Sequence, residues 1–202
     1  GLYSFVSTSA TGNILLTKEG YTAVERSYSA TAGSGVEVFD ARLTPIDSKA
    51  NPADANGALT ASDADHKIQI QFAPGSFPAG TDVRITSVSP QGLANLLPLG
   101  WSPIPGAAVD LRVFGETEFS NRNFASPANL TIPQIAGLPS NLPVVLARYN
   151  SAAHVWTVVQ TNLFAGANGA LQANIPASGQ YVFLVADTGA TAPPTAAAGE
   201  NL

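Results

Sequence analysis

The sequence contains no cysteine and no methionine, and it carries little charge. Without cysteine, the chain has neither a disulfide framework nor thiolate metal ligands, and a cysteine nucleophile is excluded as well. Only 11% of the residues are charged, nine of them basic and 14 acidic, so the chain has little to offer a phosphate backbone. We therefore expect no nucleic-acid partner.

Long apolar runs are also missing. No run approaches the roughly 20 residues that a membrane-spanning helix needs, so we expect no membrane span. The chain opens on strand-like sequence instead of the basic and apolar regions of a secretory signal, which predicts a mature product or a fragment. With so few charges, the surface must consist largely of small and neutral polar residues, a composition that favours a secreted or cell-surface location.

Hydrophobic residues alternate with polar ones wherever a period can be measured. Residues 67–72, 83–86 and 109–113 show this two-residue period, which is typical of strands with one buried face. The 15 prolines leave little room for long helices. The sequence therefore predicts an all-β fold of two sandwich-like parts, mostly antiparallel, with a few short helical turns.

Changes in composition divide the chain into four segments. Residues 47–66 are small and polar with few apolar anchors, which predicts a linker or a long loop. Residues 188–202 are rich in proline and alanine, which predicts a flexible tail. The remaining two segments, 1–46 and 67–187, are then the two sandwich-like parts.

The larger part resembles a known family. Residues 71–85 read QFAPGSFPAGTDVRI, a strand, a Pro-Gly-small turn, Pro-x-Gly-Thr and a second strand. This is similar to the signature of the ZU-five domain of ankyrins, netrin receptors and their bacterial relatives, and the likeness extends over about residues 58–187. The resemblance implies a β-sandwich that scaffolds neighbouring domains and has no cofactor.

Some members of that wider family cleave their own backbone at a His-Phe-Ser sequence before the last strand. The corresponding place here, residues 176–181, keeps Ser178 but lacks the histidine and phenylalanine, so we expect no self-cleavage. A faint likeness at Glu118-Phe119-Ser120 lies in the wrong position.

The first part, residues 1–46, resembles the C-terminal half of a carboxypeptidase-regulatory-like domain of the transthyretin type. If the earlier strands of that domain are missing, strand edges in this part are unpaired and invite another chain to complete the sheet. One hypothesis is therefore a fibre subunit that assembles by strand donation. The alternative is that the sequence simply begins in the middle of a protein.

Residues for catalysis are sparse. The two histidines, His66 and His154, lie in different segments, and the Ser-His-Asp and zinc motifs are absent. His66 follows Asp63 and Asp65, so a metal site or triad can be drawn, but a solvated polar loop is the commoner origin of such a cluster. Paired carboxylates for glycoside hydrolysis could in principle come from Glu116 and Glu118, which we interpret as solvated loop acids. We assign no catalytic, cofactor-binding or metal residue.

Two kinds of ligand remain open. Calcium is the best ion candidate, because hard cations prefer several oxygen ligands and the segment 47–65 collects them, although Pro52 breaks the order of an EF-hand. The ligand oxygens would come from Asp47, Asn51, Asp54, Asn56, Asp63 and Asp65.

Aromatic residues suggest a second ligand class. A sugar-stacking platform would use Trp101, Trp156, Tyr149 and Tyr181. The opposing interpretation is core packing, which the apolar run around Trp156 favours, whereas Trp101 is undecided. Asn129-Leu130-Thr131 also fits an N-glycosylation acceptor.

The sequence thus predicts a non-enzymatic structural or interaction module of a secreted or cell-surface bacterial protein without cofactors. Its expected partners are neighbouring domains or copies of itself, with a surface protein or glycan as further candidates. The alternative function is a carbohydrate- or protein-binding adhesion module that uses exposed aromatic residues such as Trp101.

Overall fold

The computed structural model describes residues 6–31, 33–115, 122–187 and 195–202. These residues form strands and only two short 3-10 turns, Pro90–Gly92 and Ala167–Gly169. Every strand pairing is antiparallel, so the predicted all-β class is confirmed. In chain order the strands are β1 (Thr11–Leu16), β2 (Val24–Ser29), β3 (Asn51–Pro52), β4 (Leu59–Ser62), β5 (Gln69–Phe72), β6 (Asp82–Ser87), β7 (Trp101–Val113), β8 (Asn123–Ile132), β9 (Val144–Asn150), β10 (Val155–Leu163), β11 (Leu171–Ala177) and β12 (Gly179–Ala186).

Two sheets form a sandwich. One has six strands in the order β10-β9-β12-β7-β6-β3, and the other has four in the order β11-β8-β5-β4. Alternate side chains of the two sheets meet in one apolar core, to which β5 contributes Ile70 and Phe72 and β12 contributes Tyr181 and Phe183. The two-residue period of the sequence is therefore the signature of sheets with one face in this core.

A second apolar cluster covers the outer face of the six-stranded sheet. Val182 and Leu184 belong to it, whereas their neighbours Tyr181 and Phe183 belong to the sandwich core, so β12 is buried on both faces. Strand β9 behaves in the same way. The residues that cover this outer face include Leu93 and Ala94 of the loop before β7 and, from the C-terminal segment, Ala196 and Leu202.

The segment 47–66 differs from the predicted linker or long loop. It contains β3 and β4, which pair with β6 and β5 respectively, and Ala61 is fully buried in the sandwich core. Its small polar residues serve the fold: the Asn51 side chain bonds the Ser62 backbone at both its N–H and its carbonyl oxygen. Short strands with polar bridges have no hydrophobic period, and for this reason the sequence pattern resembles a linker.

The C-terminal residues also differ from the predicted flexible tail, of which 188–194 lie outside the described residues. Residues 199–202 run beside β10: Val158 donates to the carbonyl of Glu200, and Leu202 donates to that of Trp156, each at 2.8 Å. Leu202 packs against the outer apolar cluster. One terminal apolar side chain and a few backbone hydrogen bonds anchor this segment to the sheet edge.

Candidate functional site

The N-terminal hairpin β1–β2 forms a two-stranded sheet of its own on the outer side of the sandwich. Its strands pair without a register shift, from Thr11 opposite Ser29 to Leu16 opposite Val24. Gly20 adopts a positive φ of 76° in the connection, a conformation that glycine accepts readily. The Lys18 ammonium lies 4.1 Å from the centre of the Tyr21 ring in the same connection. Local sequence therefore accounts for the hairpin itself.

A buried carboxylate attaches the hairpin to the sandwich. Glu25 of β2 is 4% exposed, and its backbone N–H donates to the carbonyl of Ala94 at 2.6 Å. Its side chain accepts a hydrogen bond from the Tyr149 hydroxyl at 2.6 Å and lies 2.5 Å from Nδ1 of His154. Both partners belong to the β9–β10 region, so this cluster joins parts of the chain that are more than 120 residues apart.

The electrostatics of this cluster favour a neutral tyrosine. Burial, followed by the hydrogen bond to the neighbouring Glu25 carboxylate, raises the pKa of Tyr149 above its ordinary value. The Tyr149 ring also packs against Trp156, with 5.4 Å between ring centroids. The indole N–H of Trp156 donates to the carbonyl of Asn95 at 3.2 Å, which holds the same loop that contacts β2.

Arg26 provides a second attachment point. It is 2% exposed, and its Nη1 atom donates to the carbonyls of Glu25 and Leu93 at 2.8 and 3.2 Å. A buried guanidinium needs several acceptors to compensate for lost hydration, and loop carbonyls supply them. Together, Glu25 and Arg26 fix β2 against the loop before β7 and leave β1 on the outside.

Strand β1 presents an open backbone edge. The N–H of Ala30 donates to the carbonyl of Ala10 at 2.7 Å, and hydrogen-bonded pairs alternate along an antiparallel ladder. The even-numbered residues of β1 therefore bond to β2, while Thr11, Asn13 and Leu15 direct their N–H and carbonyl groups outward. Within the described residues, β2 is the only strand that pairs with β1.

The features that usually protect a strand edge are not found in β1. Its sequence, TGNILL, has no charge and no proline, and the Leu15 side chain is 55% exposed. The edges of the sandwich differ: β3 has two residues, β4 has four, β11 contains Pro176, and the C-terminal segment covers part of β10. The β1 edge is thus the six-residue edge best suited to receive another strand.

His66 lies beside a hydroxyl group. Its Nδ1 is 3.0 Å from the Ser62 hydroxyl and 3.3 Å from the Lys49 ammonium, and that ammonium also bonds the Ser62 hydroxyl. A neutral imidazole nitrogen offers one lone pair, so ammonium and hydroxyl compete for it. The Asp63 carboxylate accepts the Ile68 N–H instead of orienting the imidazole. This cluster ties β4 to the segment before β3.

The oxygen-rich segment 47–65 does not converge on one point. Asp47 accepts the N–H groups of Lys49 and Ala64, and Asp54 accepts those of Asn56 and Ala58. In the described parts of the chain, no group of three or more acidic or histidine side chains has the arrangement of a metal site. These carboxylates shape turns, and the structure gives the calcium hypothesis no ligand set.

The aromatic residues of the predicted sugar platform are separated by the fold. Trp156, Tyr149 and Tyr181 are at most 2% exposed, and Tyr181 belongs to the sandwich core while the other two belong to the outer cluster. Trp101 is half-buried against the outer cluster. Three of the four rings are therefore packed in the interior and form no stacking platform, which for Trp156 agrees with the core packing that the sequence favours.

The remaining predicted positions have structural surroundings. Ser178 is fully buried, and its hydroxyl accepts the backbone N–H of Arg122 at 3.0 Å. His154, expected at the surface, is 44% exposed but bonds Glu25. Glu116, Glu118, Phe119 and Ser120 lie outside the described residues. Asn129 is on β8, with its side chain on the outer face of the four-stranded sheet.

Sequence reasoning missed Glu25, and it named Tyr149 only as a candidate sugar-stacking ring and not as the hydrogen-bond partner of Glu25. The available signal was weak: a Glu-Arg pair directly follows Ala23 and Val24 in a chain with few charges. Such a pair is found both at solvated strand edges and at buried attachment points. The two can be distinguished only when the position of β9, which carries Tyr149, is known.

No protein-family model matches the chain, and a search of curated proteins finds no match. Among the residues that the structure describes, no helix has the length and apolar character to cross a membrane.

Proposed function

We propose that this chain is a non-enzymatic structural module of a secreted or cell-surface bacterial protein, and that it joins copies of itself by strand addition at the β1 edge. The observation that carries the proposal is the outward backbone of Thr11, Asn13 and Leu15 on a strand without charge or proline. A second extended chain gains main-chain hydrogen bonds there without disturbing β2.

The attachment of the hairpin supports the same proposal. A free two-stranded hairpin is marginally stable in water, and a template for strand addition must be held in one orientation. Glu25 and Arg26, both nearly fully buried, anchor β2 and leave the opposite edge of the hairpin accessible. The weakly charged, neutral polar surface is a composition common in extracellular fibres and adhesive modules.

The proposal predicts that mass depends on concentration and that residue 15 controls this dependence. The wild-type chain should form dimers as its concentration rises, measured by light scattering or sedimentation, because one open edge on each copy closes a pair. Leu15→Pro removes one outward N–H while sparing the inward bonds of residues 14 and 16, and Leu15→Lys adds an edge charge. Both variants should remain monomeric.

Ala152→Lys is the matched control, since it places the same charge on the exposed turn between β9 and β10. It should assemble like the wild type. A wild-type chain that stays monomeric up to millimolar concentration would refute strand addition, as would assembly of Leu15→Pro equal to that of the wild type.

A further inference from the structure

The outer face of the four-stranded sheet carries a row of neutral polar side chains across all four strands. The pairing registers place Thr60 of β4 opposite Gln71 of β5, Gln71 opposite Asn129 of β8, and Asn129 opposite Asn174 of β11. Neighbouring strands lie about 4.8 Å apart, so the row offers one hydroxyl or carboxamide at each such step. That step is comparable to the length of one pyranose residue.

A second, parallel row lies two residues along the strands. Gln69 of β5 is opposite Thr131 of β8, and Thr131 is opposite Gln172 of β11. The Thr131 hydroxyl donates to Oδ1 of Asn129 at 3.0 Å, which leaves the amide nitrogen of Asn129 as a donor. The exposed carboxamides of Gln69 and Gln172 have no hydrogen-bond partner among the described residues.

A shallow depression of about 580 Å³ lies along the first row. Its lining includes Thr60, Gln71 and Asn129, and it also includes Asp54. Oδ1 of Asp54 is held by the N–H groups of Asn56 and Ala58, at 2.8 and 3.0 Å, which fixes the carboxylate and leaves Oδ2 as an acceptor. The rings of Pro52, Pro74 and Pro127 add flat apolar surface to the same wall.

The chemistry of this face selects its occupant. A dry protein interface would leave several carboxamides without partners, at a cost in free energy for each. A polyanion finds no cation in either row, and the one charged residue of the depression is an aspartate. A neutral sugar chain offers both donors and acceptors on every ring, and its C–H faces suit proline rings.

We propose that this face, defined as the two rows together with the depression, binds a neutral linear polysaccharide that lies across the strands. The site is distinct from the β1 edge and does not depend on strand addition. It also uses none of the aromatic residues that the sequence suggested for sugar binding.

Affinity electrophoresis tests the proposal, with the full chain run through gels that contain a soluble β-glucan, a mannan, a xylan or heparin. We expect at least one neutral polysaccharide to retard the chain and heparin to leave it unaffected. The double variant Gln71→Ala, Asn129→Ala removes two hydrogen-bonding groups and should weaken the association about tenfold or more. Circular dichroism establishes that this variant is folded.

Gln134→Ala is the matched control, because Gln134 is an exposed glutamine outside both rows. It should bind like the wild type. Retardation by none of the three neutral polysaccharides, retardation by heparin alone, or equal binding of the double variant would each overturn the proposal. Leu15→Pro should retain glycan binding, and the double variant should retain self-association, so the failure of one proposal is separable from the failure of the other.

Discussion

Replacing Glu25 with alanine removes the carboxylate that holds the hairpin to β9 and β10. The wild-type carboxylate is 4% exposed, accepts the Tyr149 hydroxyl at 2.6 Å, and lies 2.5 Å from Nδ1 of His154. After the substitution, the nearly buried Tyr149 hydroxyl loses a charged acceptor. We expect β1–β2 to detach from the sandwich more readily and the free energy of unfolding to fall.

The magnitude follows from the two contacts. A hydrogen bond to a charged group contributes about 1.5–3 kcal/mol, and loss of a fully buried ion pair costs about 3–5 kcal/mol. The imidazole of His154 is 44% exposed, so its contribution is reduced by solvent screening. We therefore expect Glu25→Ala to cost about 2–4 kcal/mol, and Tyr149→Phe to cost about 1.5–3 kcal/mol.

Urea denaturation followed by tryptophan fluorescence measures these differences, since Trp156 packs against Tyr149. The double variant Glu25→Ala, Tyr149→Phe should lose about 1–2 kcal/mol less stability than the sum of the two single losses, because each single change already breaks the shared hydrogen bond. Glu19→Ala, an exposed glutamate in the connection of the same hairpin, is the control and should change stability by less than about 0.5 kcal/mol. A cost of Glu25→Ala no larger than that of the control would refute the anchoring role.

Two further predictions concern backbone geometry and alkaline pH. Gly57 and Gly75 both have positive φ, but a Cβ at Gly57 would lie 2.1 Å from the Phe77 carbonyl oxygen, whereas a Cβ at Gly75 would meet open space. In denaturant titrations, Gly75→Ala should lower the free energy of unfolding by about 1–2 kcal/mol, and Gly57→Ala should lower it by distinctly more. Equal losses would contradict the close approach at Gly57. Burial raises the pKa of Tyr181 to about 12, above about 10 for an unfolded tyrosine. Because the fold favours the neutral form of Tyr181, its contribution to stability is complete below pH 10, and about 2–3 kcal/mol of it is lost as the pH rises to 12. Tyr181→Phe should reduce this loss of stability at alkaline pH. If the stability of the variant depends on pH as that of the wild type does, the prediction is wrong.

The strands with a clear two-residue period could be predicted from the sequence alone. The pattern in residues 67–72 contains β5, which begins two residues later at Gln69, and those in 83–86 and 109–113 lie within β6 and β7. Alternation is a local property, because each residue of a strand faces one side of its own sheet whatever the partner is. The lack of long helices among the described residues agrees with the scattered prolines.

Other strands gave no such signal. Asn51–Pro52 and Leu59–Ser62 are short, polar and held by side-chain bridges such as those of Asn51, so their composition resembled that of a linker. The local sequence around Leu202 did not indicate that this residue packs on the outer face of the six-stranded sheet. The positions of these segments depend on contacts between residues that are far apart in the sequence.

The sequence by itself determined the all-β class, the weakly charged surface and the absence of thiol chemistry, because these depend on composition and local period. Only the tertiary structure decided that Tyr149 is packed instead of exposed and that Glu25 is an anchor. It also decided that β1 keeps an open edge and that Gln71 and Asn129 share a row. The physical reason is that burial and cross-strand neighbours depend on sheet order, which brings together residues that local pattern cannot relate.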